Sequence, residues 1–191
     1  MDLFKAPEIG VVRPWFAPRA DYGRANMNIT LRLYRPDDFE ALHKAVSDFD
    51  VVKMLASWPF PAEEELTRMR LNSDAAKEGK VSAVIVDGVY AGGIGIVDDE
   101  LGYFLAKPYW GQGVMSTAVS LKIAEFFSDP KKTVLKSCVF QGNPASARIL
   151  ENNGFQFANE CRDFSKARNS EVIAIHYELL RADWEKRKAR K

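Results

Sequence analysis

Gly111-Gln112-Gly113-Val114-Met115 joins an apolar strand predicted over Leu101 to Ala106 to an apolar helix predicted over Val114 to Phe127. A strand that passes into a helix through glycines leaves bare main-chain N–H groups at the positive end of the helix dipole. Such a turn is a seat for a phosphate. A tight turn that needs glycine only for positive φ would use the same residues, so this turn decides nothing by itself. No Gly-Lys-Ser/Thr follows the glycines, which excludes a nucleotide-hydrolysing P-loop.

Farther along, Asn143-Pro144-Ala145-Ser146-Ala147-Arg148-Ile149-Leu150-Glu151-Asn152-Asn153-Gly154-Phe155 reads as a short capped helix stopped by Gly154. The order of strand, Gly-x-Gly turn, helix, strand and Asn-Pro-x-Ser helix ending in Gly-Phe resembles the GNAT acyltransferase superfamily. Within it, the chain is similar to the branch that includes the ribosomal-protein alanine N-acetyltransferases. The likeness runs from about Asn28 to Trp184. Its best-matching pieces are Leu31-Arg32-Leu33-Tyr34-Arg35-Pro36-Asp37-Asp38, then Leu101-Gly102-Tyr103-Phe104-Leu105 with Trp110-Gly111-Gln112-Gly113, and finally Asn143 to Phe155.

The resemblance implies acetyl-CoA as co-substrate, no metal, and direct transfer of the acetyl group to a primary amine of a small molecule or a protein N-terminus. It places the pyrophosphate on Gly111, Gln112, Gly113, Val114 and Met115. The pantetheine arm is expected on the backbone of Tyr103, Phe104 and Leu105, with one N–H polarising the thioester carbonyl. An ordinary, fully paired interior strand would read the same. Ser146 is the candidate donor to the departing sulfur, and Asn143 either binds the arm or merely caps its helix. Arg148, Lys122 and Lys136 are candidates for the 3′-phosphate.

Four positions depart from the family pattern. Trp110 stands where the wider family has Gln or Arg, and Met115 where it has a small residue. Leu150 occupies the place of a tyrosine acid that many members carry, and Thr117 the place of a glutamate common in this branch. For the attacking amine, Asp98, Asp99 and Glu100 are base candidates beside a water chain, although three consecutive acids also make a solvated turn. Trp58 and Phe60 are either a packed connector or an aromatic wall of the acceptor cleft. An alternative to the enzyme is a binding module that holds coenzyme A or an acyl-CoA and regulates a partner without turnover. The departures favour that module, and the intact Asn143-x-x-Ser146 opposes it.

The elements that must position these residues follow from pattern. Ile29 to Tyr34 alternates as a strand, and Pro36-Asp37-Asp38 starts a helix carrying Phe39, Leu42, Val46 and Phe49 at helical spacing. Pro61 with Glu63, Glu64 and Glu65 starts a second helix. Val81 to Val86, the Asp87-Gly88 turn and Val89 to Val97 form a hairpin, and Asp98-Asp99-Glu100 turns the chain into Leu101 to Ala106. Thr133 to Phe140 is a strand, Ala145 to Asn152 a helix, and Phe155 to Phe164 with Glu171 to Leu180 a closing hairpin. The fold class is α/β (α+β): one GNAT-like domain with a mixed, mostly antiparallel sheet flanked by helices. In the family, strands 101–106 and 133–140 splay apart.

Composition sets the remaining bounds. The chain has 191 residues, of which 47% are hydrophobic and 12% aromatic, enough to bury one core. A net charge of +1 lacks the broad electrostatic footprint of a nucleic-acid binder. Residues 1–27 hold Phe4, Trp15, Phe16 and Tyr22 among prolines and read as an aromatic arm. Residues 28–184 form the domain, and 185–191 a basic tail read as a frayed, solvated end. Prolines and charges break the N-terminal stretch, so no secretory signal is predicted. Val81 to Val97 carries Asp87 and four glycines, so no membrane span is predicted either. Cys138 and Cys161 read as reduced core thiols, and His43 and His176 as structural. A cytoplasmic protein without membrane or nucleic-acid partners is expected, and a homodimer stays open.

Overall fold

Asp87 and Gly88 adopt φ of 50° and 83°, and Asp98 and Asp99 adopt 51° and 62°. Two successive positive φ values give the turn whose twist matches that of the strands it joins, so both pairs close tight hairpins. The computed structural model describes residues 27–189. The strands in chain order are β1 (Ile29–Arg32), β2 (Val81–Val86), β3 (Val89–Val97), β4 (Glu100–Leu105), β5 (Val134–Phe140), β6 (Gln156–Ser165) and β7 (Ser170–Leu180). The helices are α1 (Phe39–Val46), α2 (Phe49–Val52), α3 (Glu64–Leu71), α4 (Asp74–Lys77), α5 (Val114–Phe126), α6 (Pro144–Asn152) and α7 (Arg181–Lys188).

One seven-stranded sheet results, ordered β1-β2-β3-β4-β5-β7-β6. Every junction is antiparallel except β4–β5, which is parallel. That junction pairs only Glu100 with Lys136 and Leu101 with Ser137. Beyond Leu101 the two strands part, leaving the splay that the resemblance implied. At its crotch the Ser137 hydroxyl donates to the Leu101 carbonyl at 2.9 Å, satisfying the last paired residue.

Helices α5 and α6 cover one face of the sheet, where Leu101, Leu105, Val119, Leu135, Val139 and Leu150 share one core. On the other face, α1 and α3 bury Phe39, Leu42, Leu71, Ala83, Ile85 and Tyr90. Lys122 lies inside the first layer, and its amine donates to the Gly79 carbonyl (2.8 Å), the Ser82 hydroxyl (3.2 Å) and Glu125 (2.9 Å). A lysine so buried and satisfied is not available to a 3′-phosphate, which removes it from the candidates.

Several elements differ from the sequence reading. The helix expected to carry Phe39 through Phe49 is two helices, because the Asp48 side chain accepts from the Asp50 N–H and caps a new one. Phe49 is therefore turned outward, against Phe60. Helix α3 begins at Glu64, with Glu63 as N-cap, rather than at Pro61. The unanticipated α4 is capped by Ser73. The expected frayed tail is helical as far as Lys188: Trp184 packs on Phe127 (ring centroids 5.1 Å), and Arg187 donates to the Asn152 carbonyl at 2.8 Å. The aromatic arm up to residue 26, and Arg190 and Lys191 of the tail, lie outside the described residues.

Candidate active site

Strand alternation decides what the splay exposes. The Ala106 N–H donates to the Ala91 carbonyl at 2.9 Å, so the even residues of β4 turn their main chain toward β3. Phe104 is one of them, paired with Gly93. The odd residues face the gap. The Leu101 carbonyl is taken by Ser137, and the Leu105 carbonyl accepts the Trp110 indole N–H at 2.7 Å. Between them, the N–H and C=O of Tyr103 point into the opening. Of the three residues expected to offer a rail, Tyr103 and Leu105 face the gap, while Phe104 lines the cleft with its ring. That ring needs Gly93 beneath it: a Cβ there would meet the Phe104 Cε1 at 2.6 Å and the Tyr34 hydroxyl at 2.3 Å.

At the mouth of the gap, Gly111 and Gly113 adopt φ of 73° and 79°. A Cβ at either would meet nothing within 4 Å, so glycine is required for backbone conformation and not for space. Gly113 is the N-cap of α5, and the first intrahelical bond runs from the Thr117 N–H to its carbonyl at 3.1 Å. The N–H groups of Val114, Met115 and Ser116 are left at the helix start, the donor set of an anion seat. Met115 itself is buried in the core, so its size does not obstruct that seat. Gln112 is exposed and braces the loop by donating to the Pro108 carbonyl at 2.6 Å.

The far wall is the start of α6. Asn143 Oδ1 accepts the Ser146 N–H at 3.2 Å, the capping role weighed from sequence. The Ser146 hydroxyl lies 2.7 Å from the Tyr103 phenol oxygen. That phenol also approaches the Ser146 carbonyl at 3.3 Å. Burial pushes the phenol up to about 12, a rise only partly opposed by its bond to Ser146. The side chain of Tyr103 was missed from sequence, where only its backbone was considered. Period-two alternation was the available signal, since it sets Tyr103 on the same face as Leu101 and Leu105, toward α6.

The gap opens into a cleft of ≈1270 Å³ that continues to the other face of the sheet. There Trp58, Met54, Glu100, Cys138, Asp163 and His176 line it. Trp58 is buried with the Arg70 guanidinium 4.1 Å over its ring, whereas Phe60 is exposed and lies outside the lining. Arg148 lines the cleft from α6, while Lys136 projects from β5 outside the lining. Of the three consecutive acids, Asp99 pairs with Lys132 at 2.5 Å, while Asp98 and Glu100 line the cleft. Asp50 is held down at about 2 by Lys107 and then Lys53, so it stays a carboxylate. Cys138 is pushed up to about 12 by burial and then by the fields of Glu100, Asp163 and Cys161. A thiol so protonated at neutral pH is a poor nucleophile. His176 Nε2 sits 3.2 Å from the Cys161 sulfur. His43 lies apart, stacked on Phe39 and bonded to Thr67. Among the described residues no group of three or more His, Cys, Asp or Glu could hold a metal ion, and no helix is long and apolar enough to cross a membrane.

Comparison with known proteins agrees with this geometry. Residues 28–156 match the acetyltransferase (GNAT) domain family. A protein of Bacillus subtilis (strain 168), provisionally named ribosomal N-acetyltransferase YdaF, is 25% identical over 178 residues, covering 85% of this chain and 96% of that protein. Two solved structures share the fold. RimL, a ribosomal L7/L12 alpha-N-protein acetyltransferase in complex with coenzyme A, is 18% identical with a TM-score of 0.69, covering 82% of this chain and 95% of its own. The spermidine N-acetyltransferase from Vibrio cholerae, in complex with CoA and spermine, is 15% identical with a TM-score of 0.67, covering 82% and 98%. With its family match spanning more than half of its length, the chain belongs to the GNAT acetyltransferase family.

Proposed function

We propose that the chain is an acetyl-CoA-dependent N-acetyltransferase that passes the acetyl group directly to a primary amine. The observation that carries this reading is the splay of β4 from β5, which runs from the donors at the start of α5 to Ser146. The diphosphate sits on the N–H groups of Val114 to Ser116, with Gly111 and Gly113 setting the turn and Arg148 available to a phosphate. The pantetheine arm lies along Tyr103 and Leu105, and the Tyr103 N–H receives the thioester carbonyl oxygen as negative charge builds there.

The acceptor amine enters from the opposite face, past Trp58. It must shed a proton to attack, and Glu100 is the proposed acceptor, directly or through a water. Its register opposite Lys136 sets its side chain on the same face as Cys138, while Asp99 is held by Lys132. Attack forms the C–N bond, the C–S bond breaks, and the thiolate departs beside Ser146. The raised Cys138 thiol supports a ternary complex over an acetyl-cysteine intermediate. The named activities of RimL and of the Vibrio cholerae enzyme support an amine acceptor, of either a protein N-terminus or a polyamine type. Residues 28–184 are the proposed catalytic unit.

Calorimetry with coenzyme A, followed by thiol release from acetyl-CoA across peptides with free N-termini, polyamines, amino acids and aminoglycosides, tests this reading. Tight binding and release with one amine class are expected. Binding with no release for any amine favours the regulatory module, and no binding overturns both.

A further inference from the structure

The Tyr103–Ser146 contact joins the two walls of the gap through a pair of hydroxyls, and the acetyl-transfer reading does not by itself require it. We propose that Tyr103 is a positioning residue whose phenol fixes the Ser146 hydroxyl as a hydrogen-bond donor to the departing sulfur. The inference rests on the acetyl-transfer reading.

A serine hydroxyl carries one proton and can spend it on any acceptor within reach. What Ser146 does with that proton depends on its neighbours. Its N–H is already committed to Asn143 at 3.2 Å, which fixes the backbone of the first helical turn. Its oxygen is 2.7 Å from the phenol oxygen of Tyr103. Either hydroxyl can donate across that contact, and the proposal gives the proton to the phenol, the more acidic of the two, whose other acceptor, the Ser146 carbonyl, is farther away at 3.3 Å. With the serine oxygen receiving that bond, the Ser146 proton is directed elsewhere, and the cleft lies beside it. One residue thereby sets two requirements of the reaction: the Tyr103 N–H faces the thioester carbonyl from β4, and its side chain orients the sulfur donor on α6.

The pair donates a hydrogen bond and transfers no proton. A phenol pushed up to about 12 is a weaker acid than an ordinary thiol, whose pKa is about 8.5, so handing its proton to a thiolate would run uphill. The balance is therefore simple. The C–S electron pair goes to sulfur, the amine proton goes to its base, and the thiolate leaves hydrogen-bonded to Ser146 and takes its proton from solvent.

A bond that merely ties β4 to α6 would stabilise the fold without sensing the sulfur. A donor aimed at sulfur instead lowers the pKa of the coenzyme A thiol on the protein, because hydrogen bonding to the charged form favours it. The test uses the full chain and coenzyme A alone. The thiolate absorbance of bound coenzyme A is titrated against a desulfo-coenzyme A blank, in wild type, Tyr103→Phe, Ser146→Ala and the double variant. The bound thiol of wild type is expected at least about one unit below free coenzyme A, a tenfold shift in its ionisation. Each single variant should abolish that shift, and the double variant should do no more than either, because the two hydroxyls act in series. If Tyr103→Phe fails to fold, 3-fluorotyrosine at position 103 replaces it. A stronger phenol donor should then lower the bound thiol further. A bound-thiol pKa equal in all folded variants overturns the role of Tyr103 while leaving the transferase reading intact. Failure of wild type to bind coenzyme A overturns both.

Discussion

Gly113→Ala and Gly113→Glu separate the two jobs of the turn before α5. Gly113 sits at φ 79° with open space where a Cβ would go, so alanine introduces backbone strain and no collision. An L-residue held left-handed costs about 1–2 kcal/mol, which, where the free loop relaxes out of that shape and binding must restore it, weakens coenzyme A binding by a factor of roughly 5–30. Glutamate adds the same strain and a carboxylate over the N–H groups of Val114 to Ser116. At about 5 Å from one phosphate charge and an effective dielectric of about 20, each such pair repels by about 3 kcal/mol. Glutamate should therefore bind at least ~100-fold more weakly than alanine, and the difference should shrink as salt is raised. Calorimetry at two ionic strengths reads both numbers. Gly88→Ala is the control, because Gly88 has φ 83°, equally open space and no place in the cleft. It should lower the melting temperature and leave coenzyme A affinity unchanged. Equal affinities for the alanine and glutamate variants would show that no phosphate approaches this helix start.

Trp58→Ala should cost about 3–5 kcal/mol in denaturant unfolding, because Trp58 is 6% exposed and stacked by Arg70, whereas Phe60→Ala at 45% exposure should stay within about 0.5 kcal/mol. Gly93→Ala drives a Cβ into Tyr34 and the Phe104 ring and should cost about 1–3 kcal/mol by thermal melting. The same variant should raise the acceptor KM more than the acetyl-CoA KM, since the displaced ring lines the acceptor side. Tyr34 and Tyr103 are each pushed to about 12 by burial, so the folded chain keeps two protons that the unfolded chain sheds near pH 10. Stability is therefore complete below about pH 10 and falls as pH rises through 12; Tyr34→Phe should flatten that slope in unfolding curves taken from pH 8 to 12.

What the sequence disclosed were the features that a few adjacent residues determine. Asp87-Gly88 specifies its turn locally, and the β2–β3 hairpin starts and ends where the pattern put it. The Gly-x-Gly turn into α5 is equally local. The break at Asp48 was hidden because apolar spacing continues through it, and a single side-chain cap outweighs that spacing. The sequence of α7 is rich in charge and looks solvated. Its helix is held from outside by Arg181, which lies over the Phe127 ring at 5.0 Å and donates to the Lys132 carbonyl at 2.7 Å, with Trp184 beside it. In the site, strand alternation was available in the sequence as a signal for the face of each β4 side chain, but only the β3 register told which main-chain groups face the gap. That distinction moved Phe104 from the rail to the wall.

Leu150 shows why a departure from a family pattern is weak evidence about chemistry. The position that carries a tyrosine in many members is here fully buried in the core between α5 and α6, and it offers no proton. Read along the chain, this is the loss of a donor. In three dimensions, the hydroxyls beside the gap come from Ser146, at the start of the same helix, and from Tyr103, which reaches it from the opposite wall. A leaving sulfur responds to the position and polarity of a donor, not to the element that supplies it. Trp110 follows the same logic. Where the wider family has Gln or Arg, its indole donates to the Leu105 carbonyl, satisfying the acceptor at the C-terminal end of β4 and leaving that of Tyr103 open. The main-chain donors of the seat are untouched by either change, because they belong to the backbone that Gly111 and Gly113 shape.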